Sequence, residues 1–154
     1  MSTEVFAWGD IFELDVPAGT AVADLGELAE LRLPGLAETP VLLVVLSPHV
    51  EPGPVEAVTQ ALRRFAASRG WGSPIAPETH VGPDGIATGR LAFVVDQAWE
   101  ALALAWNQHL VLAFTAAPEA TAPVFDGAEA LMATLRPCEL VVPRTAPDEP
   151  AGDW

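Results

Sequence analysis

Residues Leu91–Ala117 read LAFVVDQAWEALALAWNQHLVLAFTAA, three apolar runs parted by two short polar breaks. Arg90–Asp96 sets Leu91, Phe93 and Val95 on one side. Trp99–Trp106 alternates Glu100, Leu102, Leu104 and Trp106 against small alanines, and His109–Ala116 is apolar on both sides. A period of two marks a strand. Breaks of about two residues, near Asp96-Gln97 and Asn107-Gln108, suit tight turns between antiparallel neighbours. The segment therefore predicts an antiparallel meander.

On its C-terminal side the spacing predicts a helix over 123–135. Pro123 fits a first-turn position, and Phe125, Ala128, Leu131, Met132 and Leu135 form the apolar stripe. Arg136-Pro137 ends it. Glu139–Val142 offers a last short strand, and the tail at 146–154 is acidic and expected to be loose. On the N-terminal side, residues 70–89 carry five Gly and three Pro and read as a long loop. Pro54–Arg69 is the clearest helix: Val55, Val58, Leu62, Phe65 and Ala66 share a face, Glu56 lies in the first turn and Gly70 follows. Thr39–Ser47 holds Val41–Leu46 as a continuous apolar run, the pattern of a doubly covered strand. Phe6–Val16 reads as one strand, with Phe12, Leu14 and Val16 opposite Glu13 and Asp15. Val22–Leu33 is ambiguous: Val22, Leu25, Leu28 and Ala29 suit a helical turn, whereas Glu27–Leu33 suits a short strand.

The order is β-(β)-β-α-β-β-β-α-(β), and only the first helix joins strands by a crossover. The fold class expected is α+β: a mostly antiparallel sheet with helices packed on it, an α/β/α-type sandwich. Residues 1–145 form one domain in this reading, which suits a chain of 154 residues.

Composition narrows function. Hydrophobic residues make up 51% and mean hydropathy is +0.32, which excludes a disordered chain. Twenty-one acidic against seven basic residues give a net charge of −14, so neither nucleic acid nor an anionic membrane surface is an expected partner. All seven basic residues are Arg, so chemistry that needs a lysine is excluded. The single Cys138 cannot form an internal disulfide. The N-terminus lacks a basic stretch and no apolar run nears the roughly 20 residues of a spanning helix, so the expected location is the cytoplasm.

The segments LAFVVDQAWEALALAWNQHLVLAFTAAPEATAPVFDGAEALMATLRP (91–137) and FAWGDIFELDVPAG (6–19) resemble the final meander and closing helix, and the opening strand, of the PsbP-like superfamily. That superfamily also includes the Ran-binding nuclear-import factor. The resemblance spans about half the chain and implies a binder or assembly factor rather than an enzyme; it assigns no functional residue. Small acidic secretion chaperones are also α+β and negatively charged, but usually begin with a helix.

No catalytic residue or cofactor is read from the chain. His49, His80 and His109 lie at loops or strand ends without metal-ligand spacing. A zinc site from these with Glu51, Glu78 or Asp84 is geometrically open but unspecific. Cys138 follows a helix end, where nothing lowers a thiol pKa, and reads as a small buried hydrophobe. Trp8, Trp99 and Trp106 read as packing residues. Trp71, in a Gly/Pro-rich stretch, is the aromatic best placed for a contact. The first functional expectation is thus a non-catalytic adaptor for a protein with a basic surface, contacted through Asp10, Glu13, Asp15 and Trp71. The second is a small-molecule pocket between sheet and helices, gated by residues 70–89, with Glu78, His80, Asp84 and Arg90 as its polar groups. Oligomeric state is left open.

Overall fold

The computed structural model describes residues 2–36, 38–46, 53–72 and 76–138. In chain order the elements are β1 (Thr3–Trp8), β2 (Phe12–Pro17), β3 (Ala21–Asp24), β4 (Leu28–Arg32), β5 (Val41–Leu46), α1 (Pro54–Ser68), β6 (Glu78–Val81), β7 (Ala87–Val95), β8 (Gln97–Trp106), β9 (His109–Ala117), α2 (Pro123–Ala133) and β10 (Arg136–Pro137). Seven strands form the main sheet in the order β3-β4-β5-β9-β8-β7-β6, antiparallel throughout. β1, β2 and β10 form a second, smaller antiparallel sheet.

The predicted antiparallel meander is β7, β8 and β9, with Phe93 opposite Trp99 and Trp106 opposite His109. Its turns sit on Asp96 and Asn107, both at positive φ (65° and 48°), a conformation these two residue types tolerate. Four antiparallel pairings separate β5 from β6, so the two run in the same sense. A hairpin cannot join such strands, and α1 makes the crossover.

The sheet is packed on both faces. On one, Val58, Leu62, Phe65 and Ala66 of α1 meet Leu91, Phe93, Leu110 and Leu112. Ala101, Ala103 and Ala105 of β8 face the same side, and their small size lets the helix come close. On the other face lie Leu102, Leu104, Trp106 and Val111. They are covered by Phe125, Leu131 and Met132 of α2 and by Phe12, Leu14 and Val16 of β2. The molecule is an α+β sandwich with one helix on each side of the sheet, the second accompanied by the small sheet.

Close approach of α1 fixes one residue outright. A Cβ on Gly89 would lie 2.3 Å from Val58 Cγ1 and 2.9 Å from Leu62 Cδ1. Gly89→Ala is therefore expected to destabilise by about 1–3 kcal/mol, the usual cost of overpacking. A melting temperature equal to that of the parent protein would show that α1 shifts freely, contrary to this packing.

Four sequence readings change. Phe6–Val16 is a hairpin and not one strand: Gly9 at φ 51° turns the chain, and the Ile11 amide donates to the Trp8 carbonyl at 3.0 Å. The option of a helical turn at Val22–Leu25 gives way to β3, because Val22 and Leu25 are 44% and 59% exposed and present no buried face. The 70–89 loop contains β6 and the start of β7. All four residues of β6 are exposed, so this edge strand shows no apolar alternation. Between the two strands, Asp84 Oδ1 accepts the Ile86 amide at 3.1 Å and Gly85 takes a positive φ. Finally, Cys138 is exposed and not buried. The strand expected at 139–142 and the tail at 146–154 lie outside the described residues, as do His49 and Glu51. Among the described residues no helix is long and apolar enough to cross a membrane.

Candidate binding cleft

α2 covers β8 and β9 but stops short of β7, so the β7 margin of this sheet face is open. Ala92 and Val94 of β7 lie there, Val94 at 67% exposure. Between this margin and α2 runs a cleft of about 170 Å³. Its apolar wall includes Ala92, Val94, Ala98 and Phe125, with Phe93, Trp99 and Ala120 also lining it, and its polar groups are Arg90 and Glu100.

Glu100 occupies a core-facing position of β8, in line with Leu102 and Leu104, and only 2% of it is exposed. Arg90 stands opposite Leu102 on β7, and its Nε donates to Glu100 Oε2 at 2.5 Å and to Glu129 Oε2 at 3.2 Å. Arg90 Nη1 lies 3.9 Å from Glu78 Oε1 on β6. Three elements besides β7 thus converge on one guanidinium.

Burial disfavours a charged carboxylate at Glu100, and a proton shared with Glu129 disfavours it further. Arg90 opposes both, and the balance pushes the Glu100 pKa up to about 8. Glu129 goes the other way: the hydrogen bond from Glu100, and then Arg90, hold it below its ordinary range. At neutral pH the group is therefore a protonated Glu100, an ionised Glu129 and Arg90. Among the described residues Glu100 Oε1 has no hydrogen-bond partner, although a buried carboxyl oxygen ordinarily has one.

The residues singled out from sequence fall in three places. Asp10, Glu13 and Asp15 come together on the outer small sheet. Glu13 and Asp15 bracket Arg136, at 3.3 and 3.1 Å, and Asp10 is exposed in the β1–β2 turn. Trp71 lies on the opposite side of the main sheet. Its amide donates to the Ala66 carbonyl at 3.0 Å, and its ring stacks on Phe93 at 5.1 Å within the α1 layer. Beside it, the Arg69 guanidinium sits over Phe65, Trp99 and Phe114. Of the four groups assigned to a pocket, Arg90 lines the cleft and Glu78 reaches it. His80 is exposed on β6, and Asp84 is engaged in the neighbouring turn. Cys138 is held beside β2, its amide donating to Ile11. Lost hydration, and then the Glu13 and Asp10 carboxylates, hold its thiol above the ordinary range, so it is not an activated nucleophile. Among the described residues, no group of three His, Cys, Asp or Glu side chains is placed to hold a metal ion.

Glu100 and Glu129 were not singled out from sequence as site residues. The signal available was one acid in the core-facing register of an otherwise apolar strand. Glu129 carries no such signal, because an acid on the polar side of a helix is commonplace.

The architecture has a solved counterpart. Cyanobacterial PsbP (CyanoP) from Synechocystis sp. PCC 6803 superposes with a TM-score of 0.63 over 88% of this chain and 92% of that one, at 12% identity. The fold is PsbP-like. No protein-family model matches the chain, and no curated protein matches it in sequence. At that identity the PsbP-like likeness speaks for the sandwich and not for its site, so the cleft has to be read from its own residues.

Proposed function

We propose that the protein is a non-catalytic binding or assembly protein whose partner is a protein with a basic surface. The observation that carries this reading is the distribution of charge over the two outer layers. Among the described residues Arg32 pairs with Glu30, Arg90 with Glu100 and Glu129, and Arg136 with Glu13 and Asp15. The other described arginines, Arg63, Arg64 and Arg69, all belong to α1 or its C-cap. The opposite layer exposes Asp10, Glu119 and Asp126 as well as the Glu13–Asp15 pair, and its cations, Arg136 and Arg90, are each held between carboxylates. We assign the partner contact to this acidic layer, which holds Asp10, Glu13 and Asp15. Trp71, on the α1 side, stands apart from it. Complementary charge speeds encounter and rejects wrong partners.

The test is affinity capture from native lysate at low salt, repeated at about 0.5 M, where screening shortens the reach of surface charge to a few ångströms. A basic protein recovered at low salt, lost at high salt and weakened by Asp10→Asn with Asp126→Asn is the expected result. Recovery indifferent to salt, or none at either concentration, overturns the proposal. The cleft favours a second reading, a small-molecule binder. Its volume is below the roughly 300–1,000 Å³ of ordinary ligand pockets, which suits one side chain better than a metabolite.

A further inference from the structure

The cleft combines three features that the proposed function leaves unexplained. Its cluster holds three carboxyl groups, Glu78 from β6, Glu100 from β8 and Glu129 from α2, against one cation, Arg90 from β7. Its floor carries a side chain that is only 2% exposed, with an oxygen, Oε1, that no donor among the described residues reaches. Its wall is short and apolar, and open on the Val94 side. The Glu100 and Glu129 oxygens turned toward Arg90 are already engaged by Nε. Oε1 is left without a donor among the described residues.

We infer that this cleft seats a lysine side chain of the basic partner, its ammonium donating to Glu100 Oε1 beside Glu129 and its alkyl stem lying along Ala92, Val94, Ala98 and Phe125. The inference rests on the proposed function for the source of the lysine. Charge complementarity selects a cation over an anion or a neutral group. The slot selects lysine over arginine, because a compact ammonium on an apolar stem needs one acceptor at the floor, whereas the planar guanidinium fork is built for two. A cation in the cleft also favours the ionised form of Glu100. Binding therefore strengthens as pH rises through about 8, while an alkylammonium stays charged. A ligand that accepted a proton from Glu100 would do the reverse.

The probe is n-butylammonium chloride, with n-butanol as the uncharged control and sodium chloride at matched ionic strength. Methyl NMR reports on Ala92, Val94 and Ala98, and carboxyl-carbon NMR reports on Glu100. Butylammonium is expected to move these methyl signals, butanol to bind roughly tenfold more weakly, and the Glu100 midpoint to fall by about one unit, which equals about tenfold tighter binding to the ionised form. Glu129→Gln, a change on the helix surface, is expected to weaken the probe several-fold, and Glu100→Gln to abolish its pH dependence. Equal binding of butanol and butylammonium, or affinity that does not rise with pH in the parent protein, overturns the inference. A captured basic partner that ignores Glu100→Gln and Glu129→Gln sinks the cleft and spares the proposed function. Butylammonium binding with no basic partner captured does the opposite.

Discussion

Glu100→Gln is expected to stabilise the protein by several kcal/mol near pH 8 and to change it little at about pH 5. In the folded state Glu100 keeps its proton up to about pH 8, against an ordinary value of 4.5. Between those values the unfolded chain has released that proton and the folded chain still holds it. The unfolded state binds fewer protons, so stability falls as pH rises. The loss is present in full only above the folded value and absent below the unfolded one. At about 1.4 kcal/mol for each pH unit, the window is worth on the order of 4 kcal/mol. Glutamine has the same shape and no proton to lose, its carbonyl can still accept from Arg90, and its curve lacks this slope. Glu129, held below its ordinary range, contributes stability that is lost only in acid and so acts outside the window. Urea unfolding of both proteins across the pH series isolates Glu100 as a difference, because every other titrating group is shared. Parallel curves would mean that Glu100 is ionised in the folded protein, and the account of the cleft would fail with it.

Trp106→Ala is expected to cost about 3–5 kcal/mol, a large share of the roughly 5–15 kcal/mol that holds a domain folded. Trp106 is fully buried. Its ring meets Phe12 edge-on at 6.4 Å, and Phe12 stacks on Trp8 at 6.0 Å. The tryptophan thereby keys the small sheet to the main one, and its removal loosens both. At roughly 2–4 °C per kcal/mol for a chain of this size, the melting temperature should fall by about 6–20 °C. Trp106→Phe should lose well under half as much. The buried indole N–H has no partner among the described residues, and deleting it removes a desolvation cost of about 1–3 kcal/mol that offsets part of the lost area. Trp71→Ala, at a half-exposed ring stacked on Phe93, is expected to cost only about 1 kcal/mol. A Trp106→Ala protein that melts within a degree or two of the parent would show that the two sheets are held together elsewhere.

The meander, both helices and the strand at Val41–Leu46 were legible because each buries at least one regular face, and burial writes its period into the chain. The bracketing of Arg136 by Glu13 and Asp15 was not legible, although all three are conspicuous as charges, because it depends on β10 pairing with β2 across most of the chain length. β6 was hidden for a different reason. An edge strand with four exposed residues has no buried face to declare, and its Gly- and Pro-rich flanks read as loop.

Taken by itself, the sequence determined the class: an acidic α+β sandwich around an antiparallel meander. Those properties depend on residues near one another in the chain, where spacing of two or of three and four is enough. Only the tertiary structure decided the site. The Arg90 group unites residues 78, 90, 100 and 129 from four elements. The shift of Glu100 arises from burial and a shared proton, neither of which has a local period. Whether an acid on a strand faces water or a guanidinium at the floor of a cleft depends on which helix covers which strand, and α2 covers β8 while leaving β7 open.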